Sequence, residues 1–270
     1  MRVATWNVNS VRTRVGRIVD WLERSDVDVL AMQEIKCRVD QFPYEQFEAA
    51  GYHVEAHGTN QWNGVAIASR LPMVDVVRQF DDQPGYANTG EPVVEARAMA
   101  ATVEGVRLWS LYVPNGRDLG HPHLAYKLEW LRILAEHAKG WQGQPLALMG
   151  DFNIAPFDHD VWDIAAFEGS THVSEPEREA FRAFERIGMV DVVRDRAQGY
   201  TYWDYKAGRW QKGEGMRIDF VLGTAPFAEL VTAARIDSGE RAGDAPSDHV
   251  PVVVDIDVET ELDDDRPMIF

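Results

Sequence analysis

Short polar side chains follow an apolar run in the middle of the chain, in the segment M-G-D-F-N-I-A-P at residues 149–156. The apolar run predicts a buried strand that ends next to Asp151 and Asn153. Because side chains alternate between the two faces of a strand, Asp151 and Asn153 point to one face and Phe152 points to the other. The pattern therefore predicts two oxygen-bearing side chains that are directed at a common target.

Other apolar runs of the chain also carry polar groups at or near their ends. These groups are Asn7 and Asn9 in V-A-T-W-N-V-N, Glu34 after V-D-V-L-A-M, Asp219 in R-I-D-F-V-L, and Asp248 with His249 in S-D-H-V-P-V-V-V. Each residue alone has an ordinary interpretation as a turn residue, a cap, a solvated strand end or a satisfied core histidine. Asp219 is flanked by apolar residues and needs a partner where it is buried. The joint pattern favours one shared site.

Carboxylates and amides with one imidazole form an oxygen-rich donor set, which suits Mg²⁺ with Mn²⁺ as a substitute far better than zinc. Hydrolysis of a phosphodiester needs charge stabilisation at the phosphoryl oxygens, an oriented water and help for the leaving oxygen. An Asp–His pair can hold an imidazole in one tautomer and stabilise its cation. The chain has no G-x-S-x-G, no P-loop and no Cys/His zinc spacing, so other nucleophilic designs are disfavoured.

The elements that must position these groups can be read from hydrophobic periodicity. Asn9 or Ser10 is predicted to cap a helix, and a capping box, Ser174-x-x-Glu177, is predicted to open another. The predicted helices are the one after Ser10, 123–137 and 176–187. The predicted strands are the first run, 27–32, 64–69, 93–103, 106–113, 146–149, 218–222, 230–236 and 250–258.

Many strands and few helices predict an α/β (α+β) fold, a four-layered sandwich in which two packed mixed β-sheets are flanked by helices. The sequence has no Pro/Gly/Ser linker, no low-complexity tract and no repeat of 20–50 residues. We therefore expect a single domain over residues 1–258. Residues 259–270 begin with E-T-E-L-D-D-D and are expected to form a flexible acidic tail.

Charge sets a condition on the substrate. The 270 residues carry 27 Lys and Arg against 44 Asp and Glu, a formal net charge of −17. Non-specific affinity for nucleic acid comes mostly from Lys and Arg that neutralise phosphates, so this balance argues against it. A polyanionic substrate would need a metal or a local basic rim, for which Arg12, Arg14 and Arg17 are candidates.

Cysteine usage and hydropathy bear on the compartment. The one cysteine, Cys37, excludes an intrachain disulfide and favours a reducing compartment, with the cytoplasm as the default. The N-terminus has no signal-peptide pattern, and no run of about 18 uncharged apolar residues occurs. We therefore expect neither secretion nor a membrane span.

Six motifs together resemble the exonuclease III family of abasic-site endonucleases, within the endonuclease/exonuclease/phosphatase superfamily, over essentially residues 1–258. The motifs are W-N-V-N at 6–9, M-Q-E-I-K at 32–36, Y-V-P-N-G at 112–116, G-D-F-N-I-A-P at 150–156, R-I-D-F at 217–220 and S-D-H-V-P at 247–251. The resemblance implies a monomeric, Mg²⁺-dependent DNA repair nuclease, similar to bacterial exodeoxyribonuclease III. Such an enzyme incises duplex DNA 5′ to abasic sites and removes 3′-terminal nucleotides or 3′ blocking groups.

The resemblance also implies a role for each matching residue. Glu34 would be the principal metal ligand, and Asp151 would handle a proton of the attacking water or the leaving group. His249, paired with Asp219, would lie against the scissile phosphate as a base or as an electrostatic stabiliser. The whole implied metal set is Asn7, Glu34, Asp151, Asn153, Asp248 and His249. Tyr112, Asn115 and Asn153 would contact phosphate.

The aromatic segment Y-T-Y-W-D-Y at 200–205 resembles the wall of the family's pocket for a flipped, baseless sugar. By position, the pocket residues here would be Tyr202, Met216 and Ile218. Selectivity would then come from pocket size rather than from hydrogen bonds to base edges. Ordinary core packing is the alternative for Met216 and for Trp203.

Two features depart from the resemblance. Asn9 stands where some relatives carry Asp, and the loop 117–123 does not match closely, so Arg117 is only a candidate for contact with the duplex.

Two other functions also remain open. A phosphoesterase for inositol phosphates or lipid headgroups should carry a dense Lys/Arg cluster, which the sequence lacks. A silent DNA-binding or scaffold protein would have no physical reason to retain Glu34, Asp151 and His249 together.

Overall fold

A computed structural model describes residues 1–258 of the protein. Strands and helices alternate along the chain, in keeping with its hydrophobic periodicities. The strands of the described residues are β1 (Arg2–Asn7), β2 (Val29–Gln33), β3 (His53–His57), β4 (Val65–Ser69), β5 (Val74–Val77), β6 (Ala98–Val103), β7 (Val106–Tyr112), β8 (Leu146–Asp151), β9 (Val190–Asp191), β10 (Asp219–Gly223), β11 (Val231–Ile236) and β12 (Val252–Ile256). The α-helices are α1 (Val11–Ser25), α2 (Tyr44–Ala49), α3 (Pro122–Lys139), α4 (Glu175–Arg186), α5 (Arg209–Lys212) and α6 (Ala225–Leu230). The acidic tail predicted at 259–270 lies outside the described residues.

The strands form two six-stranded mixed sheets, in the orders β11-β12-β1-β2-β4-β3 and β5-β6-β7-β8-β10-β9. Each sheet contains one parallel pair near its centre, β1 with β2 and β7 with β8, and its other pairs are antiparallel. Because parallel strands end at the same edge of a sheet, β1 and β2 deliver their C-terminal residues to one place.

Three apolar cores hold the layers together. Between the sheets, side chains such as Val3 and Ile67 of one sheet pack with Met149 and Val221 of the other. The outer face of the first sheet packs on α1 and α2, and the outer face of the second sheet packs on α3 and α4. This arrangement confirms the predicted four-layered sandwich. Among residues 1–258, no helix is both long enough and apolar enough to cross a bilayer. A single domain stays a prediction.

Element boundaries differ from the sequence-based expectation where exposure or a turn overrides hydrophobicity. The predicted strand 93–103 begins only at Ala98, because Val93 is exposed and makes an isolated bridge with Tyr86. Leu230 ends α6 instead of opening β11. The edge strands β3 and β5 were not predicted, because half or more of their side chains face outward and the apolar signal is weak.

The predicted capping box at Ser174 is wrong in its geometry. Ser174 lies at the N-cap of α4, but within the described chain its side chain caps no backbone amide. Its hydroxyl instead donates to Glu177 Oε2 at 2.5 Å. The Glu177 carboxylate is fully buried and pairs with Lys127 of α3, so tertiary ion pairing replaces the local cap.

Candidate active site

The polar strand ends predicted from the sequence meet at one edge of the sandwich. Asn7 ends β1, Glu34 follows β2 and Asp151 ends β8. Asp219 begins β10 and lies opposite Asp151 in the antiparallel register. His249 comes from the loop before β12, whose backbone bridges to Tyr202. Groups from five separate parts of the chain therefore converge.

The backbone at this edge is strained, which is typical of functional sites. Glu34 and Asn153 both adopt left-handed conformations, with φ of 52° each. Gly150 has φ of 149°, and a Cβ at this position would lie 1.9 Å from the carbonyl oxygen of Leu111. Only glycine therefore lets β8 approach β7 this closely just before Asp151.

Glu34, Asp151 and His249 form the cluster that can hold a cation. One ligating atom from each lies within 4.8 Å of the others. Asn7 joins the two acids, since its Nδ2 donates to Glu34 Oε1 at 2.9 Å and to Asp151 Oδ2 at 3.0 Å. Burial among these neighbours raises the pKa of the Asp151 carboxyl above its usual range, even though His249 opposes the shift.

Glu34 lies in a more cationic environment than Asp151. Burial raises its pKa, but the ammonium of Lys36 and the amide of Asn7 outweigh that effect and the net shift is downward. Lys36 Nζ lies 2.6 Å from Glu34 Oε2 and 2.5 Å from Asn9 Oδ1. Glu34 is therefore held as a carboxylate.

His249 is paired with Asp219, as the sequence predicted. His249 Nδ1 lies 2.8 Å from Asp219 Oδ2, and His249 Nε2 lies 3.7 Å from Asp151 Oδ2. Burial lowers the pKa of His249, but the charges of Asp219 and Asp151 outweigh it and raise the pKa to about 10. The arrangement therefore favours an imidazolium with an N–H on each side.

Two asparagines of the predicted set turn their oxygens away from the acids. Asn7 Oδ1 accepts from the Asn9 backbone at 3.0 Å. Asn153 Oδ1 accepts from Asn115 Nδ2 at 2.9 Å and faces His172 Nε2 at 3.2 Å. The Asn153 backbone N–H donates to Asp151 Oδ1 at 2.9 Å, and its side-chain amide donates to Val113 O. Both asparagines therefore present donors, not acceptors, to the site.

Asp248 and Tyr112 lie at the margins of the cluster. Asp248 Oδ1 accepts from Asn9 Nδ2 at 3.0 Å, and Asp248 is not one of the three clustered groups. Burial, followed by the charge of Glu34, raises the pKa of Tyr112 well above its usual value. The guanidinium of Arg97 stacks 4.7 Å from the centre of the Tyr112 ring. Tyr112 therefore stays a neutral hydroxyl beside Glu34.

A cavity of about 280 Å³ is lined by Tyr202, Met216 and His172, among others, and Tyr202 connects it to His249. The Tyr202 ring stands edge-on to the His249 ring, with 4.9 Å between centroids. The predicted pocket residue Ile218 is 2% exposed and does not line this cavity. It packs beneath Met216 in a small apolar cluster.

Sequence reasoning missed two groups behind the asparagines. His172 is half-buried, and desolvation lowers its pKa to about 4, so the ring is neutral. Lys127 is 0% exposed and donates to the Asn153 carbonyl at 2.6 Å. A lysine in the middle of a helix is normally predicted to be exposed to solvent. A single histidine in a loop belongs to no hydrophobic periodicity that could identify it as functional.

The predicted basic rim is only partly available. Arg14 donates to the backbone carbonyl of Asn9 and to Tyr205 Oη, and Arg17 donates to the carbonyls of Glu240 and Ala242. These two arginines hold loops together. Arg12 is exposed and shares a groove with Arg38 and Trp62.

The four-layered sandwich, with acids, amides and a paired histidine at one edge, fits the endonuclease/exonuclease/phosphatase class of proteins. Residues 4–249 match the model of the Endonuclease/Exonuclease/phosphatase family, and the chain belongs to that family.

Three comparisons place the chain within the family. It is 28% identical over 267 residues to an exodeoxyribonuclease of Bacillus subtilis, covering 96% of this chain and 100% of the relative. It resembles the structure of an AP endonuclease from Archaeoglobus fulgidus, with a TM-score of 0.88, 34% identity, and coverage of 96% of this chain and 100% of the other. It is also similar to the 3′ phosphatase NExo from Neisseria bound to a product DNA hairpin, with a TM-score of 0.87, 34% identity, and coverage of 95% and 99%.

Proposed function

We propose that this protein is a Mg²⁺-dependent DNA repair nuclease that hydrolyses phosphodiesters of duplex DNA. Its reactions are incision 5′ to abasic sites and removal of 3′-terminal nucleotides or 3′ blocking groups. The relatives described as exodeoxyribonuclease, AP endonuclease and 3′ phosphatase support this class of substrate. We further propose that it acts as a monomer in the cytoplasm.

The observation that carries the proposal is the convergence of Glu34, Asp151 and His249 within 4.8 Å, with Asp219 behind the histidine. The acids come from the ends of strands in both sheets, so the whole sandwich fixes their spacing. Two carboxylates that can share a cation, beside a charged imidazole, suit a phosphodiester, because the cation and the imidazolium would both offset its negative charge.

The donor set fits Mg²⁺. Glu34 and Asp151 supply hard carboxylate oxygens close together, which is the ligand type that Mg²⁺ prefers. When bound, Mg²⁺ would supply charge stabilisation at a phosphoryl oxygen. We assign Glu34 and Asp151 as ligands, with Asn7 holding them in place. His249 is assigned to phosphate, because Mg²⁺ prefers oxygen ligands and the imidazole is already paired with Asp219.

The chain's own residues then divide the chemistry. Asp151 is placed to accept a proton from the attacking water or to assist the leaving oxygen, because it lies between Asn7 and His249 in the cluster. The His249 imidazolium donates a charge-assisted hydrogen bond to a phosphoryl oxygen, and Asp219 stabilises its charge and fixes its ring. The Tyr112 hydroxyl and Asn115 are proposed to contact phosphate, while Asn153 orients Asn115 through its side-chain oxygen and Asp151 through its backbone N–H.

The cavity lined by Tyr202 and Met216 is proposed to take the sugar next to the scissile bond. We propose that this wall, rather than hydrogen bonds to base edges, favours a baseless sugar. Ile218 supports that wall from below. Exposed Arg12 and the groove around Trp62 offer the duplex a contact away from the acids.

A panel of substrates tests the proposal. The purified protein is given Mg²⁺ with an abasic duplex, a blunt duplex, a duplex with a 3′ phosphate, and an inositol polyphosphate. We expect cleavage of the DNA substrates, loss of all activity in excess EDTA, and no phosphate release from the inositol compound. Release from inositol phosphate without DNA cleavage would contradict the proposal.

A further inference from the structure

A fully buried ion pair lies directly behind the two asparagines of the site. Lys127 of α3 and Glu177 of α4 are both 0% exposed, and Lys127 Nζ donates to Glu177 Oε1. Glu177 also accepts from Ser174 Oγ at 2.5 Å. Neither charge touches the proposed phosphate position, and the chemistry described above uses neither of them.

The ammonium has backbone acceptors as well as the carboxylate. Lys127 Nζ lies 2.6 Å from the Asn153 carbonyl oxygen and 3.3 Å from the Asn115 carbonyl oxygen. An ammonium has three N–H donors, and these three acceptors use all of them. One side chain therefore ties α3 to α4 and to both loops that present the asparagine amides.

The bond to Asn153 matters because this residue is held in a strained conformation. With φ of 52°, Asn153 lies in the left-handed region, which costs free energy for a residue other than glycine. Its N–H is fixed by Asp151 Oδ1 at 2.9 Å, and its carbonyl is fixed by Lys127. The two bonds hold the residue from both sides. Loss of the second would let Asn153 relax and withdraw its N–H from Asp151.

An ion pair serving stability alone would be a poor explanation for this arrangement. Burying two charges carries a desolvation penalty, and replacing such a pair with apolar residues of similar volume is often neutral or stabilising. What apolar residues cannot replace is a donor directed at two backbone carbonyls of the site. The direction of the donors, rather than the pairing of charges, is therefore the feature to test.

We propose that Lys127 is a positioning residue for the nuclease reaction. Its donors hold the loops of Asn115 and Asn153 in place, and through Asn153 they hold the Asp151 carboxylate in its reactive geometry. Glu177 keeps Lys127 in position. The inference rests on the proposed function, since it concerns the same site. It predicts an effect on kcat rather than on KM, because the DNA contacts outside the site are unchanged.

The test compares two double variants with a matched control. Lys127→Met/Glu177→Leu removes both charges and every donor, whereas Lys127→Gln/Glu177→Gln keeps the approximate shapes and an amide donor. The control is Arg2→Met/Asp255→Leu, which removes an ion pair of 2.6 Å at the far ends of β1 and β12. For each protein, kcat and KM on the DNA substrate that the wild type cleaves, and the melting temperature, are measured.

We expect the apolar variant to fold and to lose about tenfold or more in kcat with little change in KM, because small displacements of reacting groups are costly. The amide variant should recover part of that loss, and the control should stay within about twofold of the wild type. A folded apolar variant with the wild-type kcat overturns the proposal, as does an amide variant no more active than the apolar one at equal melting temperature.

Two further outcomes are informative. If the apolar variant does not fold, the amide variant decides: kcat reduced about threefold or more at unchanged KM supports the proposal, because glutamine offers two donors where ammonium offers three. A wild-type kcat overturns it. Failure of the proposed function is distinguished by the wild type, which would then cleave no DNA substrate with any divalent cation.

Discussion

Asp219→Asn tests the electrostatic core of the site with a change of a single charge. Asp219 Oδ2 lies 2.8 Å from His249 Nδ1, and Asp219 is 1% exposed. Opposite unit charges about 4 Å apart attract by about 4 kcal/mol at an effective dielectric constant of 20. An asparagine oxygen still accepts the Nδ1–H, so only part of this stabilisation is lost. If the weakened pair also lets the imidazole turn out of line with the phosphoryl oxygen, so that about 3 kcal/mol is lost in the transition state, the rate falls roughly 10²-fold.

The assay is single-turnover cleavage of a duplex with saturating Mg²⁺, together with the melting temperature and the Kd for DNA. Asp219 Oδ1 has no hydrogen-bond partner among residues 1–258, so the new amide group adds two buried unsatisfied N–H donors and a loss of stability. Asp255→Asn, which weakens the pair with Arg2 far from the site, is the matched control. A cleavage rate for Asp219→Asn within about threefold of the wild type would refute the assigned role of the Asp219–His249 pair.

Four further substitutions, in three experiments, give separate outcomes. Glu34→Ala should raise the Mg²⁺ concentration needed for half-maximal rate, whereas Cys37→Ser should leave catalysis nearly intact; a metal titration that gives the reverse order contradicts the ligand assignment. Met216→Ala should lower abasic-site incision several-fold while cleavage at undamaged sites rises or stays constant; a lower melting temperature with an unchanged ratio of the two rates would remove Met216 from the pocket wall. Gly150→Ala should destabilise the protein by more than about 1 kcal/mol, because its Cβ meets the Leu111 carbonyl at 1.9 Å; chemical denaturation showing wild-type stability would contradict the close approach of β7 and β8.

The strand-end acids could be predicted because their signal is local. An acid after an apolar run is visible in the sequence, and the parallel pairing of β1 with β2 brings Asn7 and Glu34 together by topology. The resemblance to the exonuclease III family implied the pairing of Asp219 with His249, whereas the apolar neighbours of Asp219 indicated only that this acid needs a partner. The four-layered fold could be predicted because the sequence has many strand-like and few helix-like apolar runs.

The groups behind the site could not be predicted in this way. Lys127 lies on α3, and its burial depends on α4 packing over it, which brings Glu177 within reach. No local pattern reports a contact between residues 50 positions apart. The direction of the asparagine oxygens is also decided by tertiary donors, such as Asn115 for Asn153. Ile218 was assigned to the pocket by its position in the resembling family, and position along the chain does not give the depth of a side chain below the cavity wall.

The most direct measurement of the central claim is the single-turnover rate of duplex cleavage by Asp151→Asn against the wild type, at saturating DNA and Mg²⁺, with the Kd for DNA measured in parallel. Asp151 is buried in contact with Asn7 and Asn153 and close to His249, so it joins the proposed metal site to proton transfer. The expected result is a rate lower by about 10² or more with a Kd within a few-fold of the wild type. A near-wild-type rate, or equal losses of rate and affinity, would contradict the assignment of this edge of the sandwich as the reactive centre.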